Sequence, residues 1–271
     1  VIHFIRPDSG YSQILDSHIE PIRKHVESTV SSEYEKGKTN VSFFVEYAPS
    51  EVFMSHGIAD KNWRNQHRVD KFNYICVSGP IWYQKYRGID PSRILMIGYP
   101  KLDPIFQGEY KRTPGRKRIL LAPTHTAIPD VSCASMEFYL DRLPYNWEAT
   151  CSLHPANRSD ENPTMQALVD ADVVIADCGS MVYEAWALGK PVIFPDWLVK
   201  DAILRFFPGS LEAFIYQSGI GLHARSFDEM IDMLGSEIDN KVNNLMEQVF
   251  PTELRGRSGE AAANKLLEAS T

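Results

Sequence analysis

Residues 172–195 read Asp172-Val173-Val174-Ile175-Ala176-Asp177-Cys178-Gly179-Ser180-Met181-Val182-Tyr183-Glu184-Ala185-Trp186-Ala187-Leu188-Gly189-Lys190-Pro191-Val192-Ile193-Phe194-Pro195, and this stretch decides the fold. Residues 173–176 are a short continuous apolar run, as expected for a strand covered on both faces. Asp177, Cys178 and Gly179 make a tight turn, a helix is predicted to open at Ser180, and 191–194 returns as a second strand. That is half of a parallel β/α layer. Gly179 lets backbone approach a ligand with no side chain in the way, and the N–H groups at a helix start favour an anion. Glu184 lies four residues past Ser180 on the same face, where its carboxylate can accept hydrogen bonds from a ribose diol. An ordinary strand, turn and helix, with Ser180 as cap and Glu184 as a first-turn acid, accounts for the same residues.

Working outward, the alternation recurs. β-Branched or aromatic runs at 1–5, 41–45, 52–55, 74–78, 94–98, 119–122, 149–153, 173–176, 192–194 and 220–223 are separated by helical patterns, which predicts an α/β fold with largely parallel sheets. Many of the runs end in polar or turn residues: Ser55-His56-Gly57, Ser78-Gly79-Pro80, Gly98-Tyr99-Pro100, Pro123-Thr124-His125, His154-Pro155 and Asp177-Cys178-Gly179. Ligands of open α/β sheets bind outside those carboxyl ends. The polar stretch 107–118, with its Gly and Pro, predicts a domain boundary. The expected division is a first Rossmann-like domain at 1–110, a second at 111–255, and a helix at 256–271 that packs back on the first, with the two domains facing a cleft. A long helical pattern is expected from Phe227 to Val249, where Pro251 breaks it.

Composition bounds the function. At 271 residues and 44% hydrophobic content the chain can bury two modest cores. A net charge of −7, from 28 basic and 35 acidic residues with no basic block, argues against a nucleic-acid partner. Lys111-Arg112 and Arg116-Lys117-Arg118 read as solvated loop flanks, with peripheral membrane association as the other reading. No apolar run approaches the roughly 18 residues of a membrane span and no secretion signal is legible, so the expected setting is cytoplasmic, or peripheral at the inner face of the membrane. The sequence opens at Val1 and the first domain is short, so part of the acceptor side is expected to lie outside it. Cys76, Cys133, Cys151 and Cys178 have no paired spacing and read as reduced core residues.

The candidate chemistry lies at the strand ends. His56-Gly57 and His154-Pro155 each follow a strand, one per domain, and an imidazole takes or gives a proton near neutrality. Thr124 and His125 end another strand and can reach the same phosphate, or simply stabilise a turn. Asp103 either orients a substrate hydroxyl or caps the next short helix, and the cap is favoured. Lys61, Arg64 and Arg158 are the cations nearest the histidines in sequence; most such residues are surface charge. No nucleophile elbow, phosphate-binding Gly-Lys loop, zinc motif or Asp-x-Asp pair is present, so no cofactor and no metal are expected. A bound diphosphate would have to be neutralised by helix N-termini, histidines and arginines.

The order of these pieces, Ser55-His56-Gly57, Val77-Ser78, Gly98-Tyr99-Pro100-Lys101-Leu102-Asp103, Leu121-Ala122-Pro123-Thr124, Leu153-His154-Pro155, residues 171–180 and Lys190-Pro191-Val192-Ile193-Phe194, resembles the CDP-glycerol glycerophosphotransferase family of teichoic-acid and capsule synthesis. The resemblance covers about residues 50 to 260 and implies the two-Rossmann-domain GT-B architecture. It implies a CDP-polyol donor on the second domain and a polymer or lipid-linked acceptor, with CMP released. His56 is then similar to the base near the acceptor, and His154 to the phosphate stabiliser. Gly57, Ser78, Thr124, His125, Asp177, Gly179, Ser180 and Glu184 go with the donor, and Asp103 and Arg158 with phosphate or acceptor. The chain departs from the family pattern at His125-Thr126, Gly179-Ser180 and Glu184. The stretch from Asp177 to Val192 is also similar to UDP-N-acetylglucosamine 2-epimerases and to GT-B sugar transferases, which keeps a nucleotide-sugar donor as the alternative. A non-catalytic nucleotide-binding protein is a third.

Overall fold

Every strand pairing among the described residues is parallel, in two sheets of six and five strands. The computed structural model describes residues 1–271 except 48–49, 62–65, 129, 155–163 and 271. Two units result: Val1–Ile58 with Trp63–Glu109 and Glu247–Thr271, and Ala59–Asn62 with Tyr110–Met246. The first carries strands β1 (Ile2–Ile5), β2 (Ser28–Ser31), β3 (Thr39–Ser42), β4 (Val52–Met54), β5 (Tyr74–Val77) and β6 (Ile94–Met96), with helices α1 (Ser12–Arg23), α2 (Gln66–Val69), α3 (Ile81–Lys85) and α4 (Asp103–Phe106). The second carries β7 (Lys117–Ala122), β8 (Trp147–Cys151), α5 (Thr164–Asp170), β9 (Val173–Ala176), α6 (Ser180–Ala187), β10 (Val192–Pro195), α7 (Asp196–Phe206), α8 (Leu211–Ser218), β11 (Leu222–Ala224) and α9 (Phe227–Asp232). Helix α10 (Asn240–Val249) leads the chain back to unit 1, where α11 (Ser258–Glu268) closes it.

The strand orders are β2-β1-β3-β4-β5-β6 and β11-β10-β9-β7-β8. Both follow one plan: the first strand lies between the second and the third, and later strands add outward beyond the third. The winding therefore reverses between β1 and β3 in unit 1 and between β7 and β9 in unit 2. Beyond the carboxyl ends at such a reversal, connections leave on opposite faces and open a crevice.

In unit 1 the two faces of the sheet bury different sets. Ile2, Phe4, Val41, Val52 and Met54 pack with Leu15, Ile19 and Ile22 of α1 and Ala262, Ala263 and Leu266 of α11. Phe53, Ile75 and Val77 face the other way, onto Val69, Phe72 and Ile89. Helix α11 is held by Asp103, whose carboxylate accepts the N–H groups of Ser258 (3.1 Å) and Gly259 (2.6 Å). A Cβ on Gly259 would stand 2.6 Å from the carbonyl oxygen of Pro21, so only glycine allows α11 this close to α1.

Two expectations need correction. The helical pattern from Phe227 to Val249 is split into α9 and α10, because Gly235 adopts a φ of 90°, which ends a right-handed helix. Strand β2 was not expected: Ser28-Thr29-Val30-Ser31 has a single apolar side chain, yet it pairs along β1 at the sheet edge. All four cysteines are free thiols.

Candidate functional site

The loops at the unit 2 reversal are drawn together by one carboxylate. Asp177, directly after β9, is 1% exposed and accepts the backbone N–H groups of Thr124 (2.9 and 3.1 Å), Cys133 (2.9 Å) and Cys178 (2.5 Å). Thr124 belongs to the loop after β7, so Asp177 ties the two loops that flank the reversal. The Tyr216 hydroxyl donates to the Asp177 carbonyl (3.1 Å) from α8. Asp177 thus builds the loop framework with its carboxylate turned inward.

On this frame sit the predicted donor residues. Gly179 is the N-cap of α6 with φ −87° and ψ 172°, an extended conformation open to any residue, and as a glycine it offers no side-chain cap of its own. A Cβ there would lie 3.9 Å from Thr124 Oγ1, an ordinary contact, which places the Thr124 hydroxyl beside the helix start. His125 and His154 stand edge to face with ring centroids 5.3 Å apart. Burial pushes the His125 imidazole below its ordinary range; Lys61 adds to this and Asp177 opposes it. Glu184 projects from α6 and is 1% exposed.

The residue that sequence reasoning set aside is Lys61. Its ammonium donates to Thr124 Oγ1 and sets a cation beside His125. The segment bearing it is built into unit 2 residue by residue. The Ala59 N–H donates to Ser180 Oγ (3.4 Å), and the Asp60 N–H donates to Glu212 Oε1 (2.8 Å). The Leu211 N–H donates to Asp60 Oδ2 (2.8 Å), joining this segment to the start of α8. Glu212 Oε1 also accepts the Tyr183 hydroxyl (2.6 Å), while Oε2 is buried with no hydrogen-bond partner among the described residues. Burial first, then the charge of Asp60, pushes the Glu212 carboxyl up to about 7. No local pattern in the sequence announces this attachment; the signal that existed was Lys61 itself, five residues after His56.

In unit 1, His56 lies one strand beyond the reversal. It follows β4, and its Nδ1 donates to the carbonyl of Phe43, just past β3, at 3.3 Å. A carbonyl only accepts, so Nδ1 carries the hydrogen; in the neutral ring the lone pair then falls on Nε2, the tautomer a general base requires. Phe44 (4.7 Å) and Tyr11 (5.4 Å) flank the ring. Ser55 staples the turn, donating to the Gly57 carbonyl (2.7 Å) and accepting the Gly57 N–H (3.3 Å).

The remaining predicted residues lie elsewhere. Ser78 donates its hydroxyl to the Val249 carbonyl (2.7 Å) and accepts from Trp82 Nε1 (2.9 Å), fastening the end of α10. Asp103 is a cap, as the sequence favoured, but of α11, some 155 residues away, and not of the next short helix. Arg158, with Arg64 and Pro155, falls outside the described residues. No helix among the described residues is long and apolar enough to cross a membrane.

No family model matches the sequence, and no curated protein matches it. Among solved structures, the wall teichoic acid polymerase TagF superposes with a TM-score of 0.68 at 15% identity, over 100% of this chain and 89% of that one. A variant of it soaked with CDPG gives 0.66 at 14% identity, over 100% and 88%. A putative UDP-N-acetylglucosamine 2-epimerase from Listeria monocytogenes gives 0.53 at 12% identity, over 99% and 94%. The glycotransferase of kitacinnamycin gives 0.50 at 14% identity, over 97% and 80%. At these identities the likeness is one of fold: two Rossmann-like units of the GT-B type.

Proposed function

We propose that unit 2 binds a CDP-activated polyol and that the protein transfers the polyol phosphate to a hydroxyl of a surface polymer or its lipid-linked precursor, releasing CMP. The observation that supports this most directly is the convergence of Lys61, Thr124, His125 and His154 beside the glycine-led start of α6 at the unit 2 reversal. Such a set offers a diphosphate one fixed cation, a hydroxyl, two imidazoles and backbone N–H groups. The fold shared with a polymerase that has been soaked with CDPG accords with the cytidine donor that the sequence resemblance implies.

In the proposed reaction His56 Nε2 takes the proton of the acceptor hydroxyl. The acceptor oxygen forms a bond to the phosphorus bearing the polyol, the phosphoanhydride bond to CMP breaks, and a phosphodiester results. Phosphoryl transfer of this kind needs positioning and charge neutralisation more than covalent help. His154 and the α6 N–H groups are assigned the charge on the departing CMP, and Lys61 the charge on the phosphoryl group being transferred, without a metal. Glu184 is assigned the ribose, and Arg158, outside the described residues, is kept as a candidate phosphate or acceptor contact.

A melting-temperature panel tests the donor class, because a ligand bound only by the folded state stabilises it. CDP-glycerol and CDP-ribitol should raise the transition, and CMP should appear when CDP-glycerol is mixed with an oligo(glycerol phosphate) acceptor. Stabilisation by UDP-N-acetylglucosamine with none by any cytidine nucleotide would move the assignment to sugar-nucleotide chemistry. An isomer of that sugar would identify epimerisation.

A further inference from the structure

The best-buried imidazole beside the candidate base belongs to a residue that the sequence hides in a core stripe. His18 occupies α1 with Leu15, Ile19 and Ile22, all of them buried. It is 1% exposed. Its Nε2 lies 3.2 Å from the backbone carbonyl oxygen of His56, and since a carbonyl only accepts, Nε2 carries the hydrogen. Nδ1 is buried with no hydrogen-bond partner among the described residues. The ring stands edge-on to Tyr99 at 4.9 Å and tilted to Phe43 at 6.0 Å. Burial, then Lys101 and His56, pushes its pKa down to about 3, so the donor is neutral and unchanging near neutrality.

An aliphatic or phenyl side chain would fill this stripe without leaving a buried nitrogen unpaired. Such departures from good packing are expected where function requires them. What the imidazole adds is one N–H fixed on the main chain of His56. Phe43 completes the arrangement, with its carbonyl on His56 Nδ1 and its ring beside His18.

Resting on the assignment of His56 as the general base, we propose that His18 is a positioning residue for it: the Nε2–H on the His56 carbonyl fixes the turn so that Nδ1–H stays on Phe43 and Nε2 is presented to the acceptor. His18 touches no substrate. Its contribution is geometric, and a misplacement of about 1 Å at a reacting group lowers rates about 100-fold.

The experiment compares His18→Phe and His18→Met, which lack the donor, with His18→Gln, which keeps one, and with His56→Ala. CMP release from CDP-glycerol with oligo(glycerol phosphate) should show kcat reduced about 10- to 100-fold in the donorless variants. KM for CDP-glycerol should stay within about twofold, and His18→Gln should recover most of kcat, because only positioning is lost. Long-range ¹H–¹⁵N NMR of the imidazoles should show His56 as the Nδ1–H tautomer in the wild type and a mixture in His18→Met, independently of any activity. A folded donorless variant with wild-type kcat and an unchanged His56 tautomer would overturn the positioning role. Turnover retained in His56→Ala would instead remove the base itself, and the proposal with it. Should His18→Phe not fold, His18→Met carries the comparison.

Discussion

The two units share one strand order, yet their candidate histidines leave it at different strands and in different surroundings: His56 follows β4 in unit 1, and His125 and His154 follow β7 and β8 in unit 2. In unit 1, His56 lies among Phe44, Tyr11 and the Phe43 carbonyl, groups that hold its Nδ1–H and its orientation. In unit 2, His125 stands beside both Lys61 and His154, with the carboxylate of Asp177 committed to backbone N–H groups. The scaffold is shared, and the loop residues differ: aromatic rings and a carbonyl surround His56, while a lysine and a second imidazole stand by His125. The proposed base and the proposed anion site would then be different products of one topology.

The contrast can be broken by substitution. The largest effect is expected from His56→Ala: turnover should fall about a thousandfold while affinity for CDP stays within about threefold, because a base acts in the transition state. Equal loss of rate and affinity would show that His56 belongs with the anion site. Next is Asp177→Ala, which strands the N–H groups of Thr124, Cys133 and Cys178 inside the protein. Leaving such donors unsatisfied costs about 1–3 kcal/mol each, so urea denaturation should show a loss of roughly 3 kcal/mol or more. A stability within about 1 kcal/mol of wild type would remove Asp177 as the loop tie.

A smaller and pH-dependent effect is expected at Glu212. Its folded-state pKa, about 7, lies above its ordinary value of 4.5. The folded state therefore holds the proton more tightly, and the associated stability is present below about 4.5 and lost as pH rises through about 7. Glu212→Gln cannot ionise, so its melting temperature should gain on the wild type by a few degrees between pH of about 5.5 and 8.5. A difference independent of pH would mean that Glu212 does not titrate in this range. The strands and the switch-point loops were legible because buried parallel strands read as unbroken apolar runs with polar ends, as in 173–176 followed by Asp177. The split between α9 and α10 was obscured because apolar spacing continues past Gly235. Strand β2 was illegible because a polar edge strand needs only backbone pairing, and Ser28-Thr29-Val30-Ser31 offers little else. Lys61, Asp103 and His18 were misread or missed for a common reason. Each is defined by a partner 38 to 155 residues away: Lys61 on Thr124, Asp103 on Ser258, His18 on His56. Periodicity and capping rules report on neighbours within a few residues, and carry no information about such pairs.

The central claim is that unit 2 recognises a diphosphate through the Lys61 cluster, and calorimetric titration of CDP and CMP into wild-type protein and Lys61→Met tests it most directly. A hydrogen bond to a charged group contributes about 1.5–3 kcal/mol, so wild type should prefer CDP over CMP by about tenfold or more, and Lys61→Met should abolish that preference while still binding CMP. Equal affinity of wild type for the two nucleotides, or a preference that survives in Lys61→Met, would contradict the account.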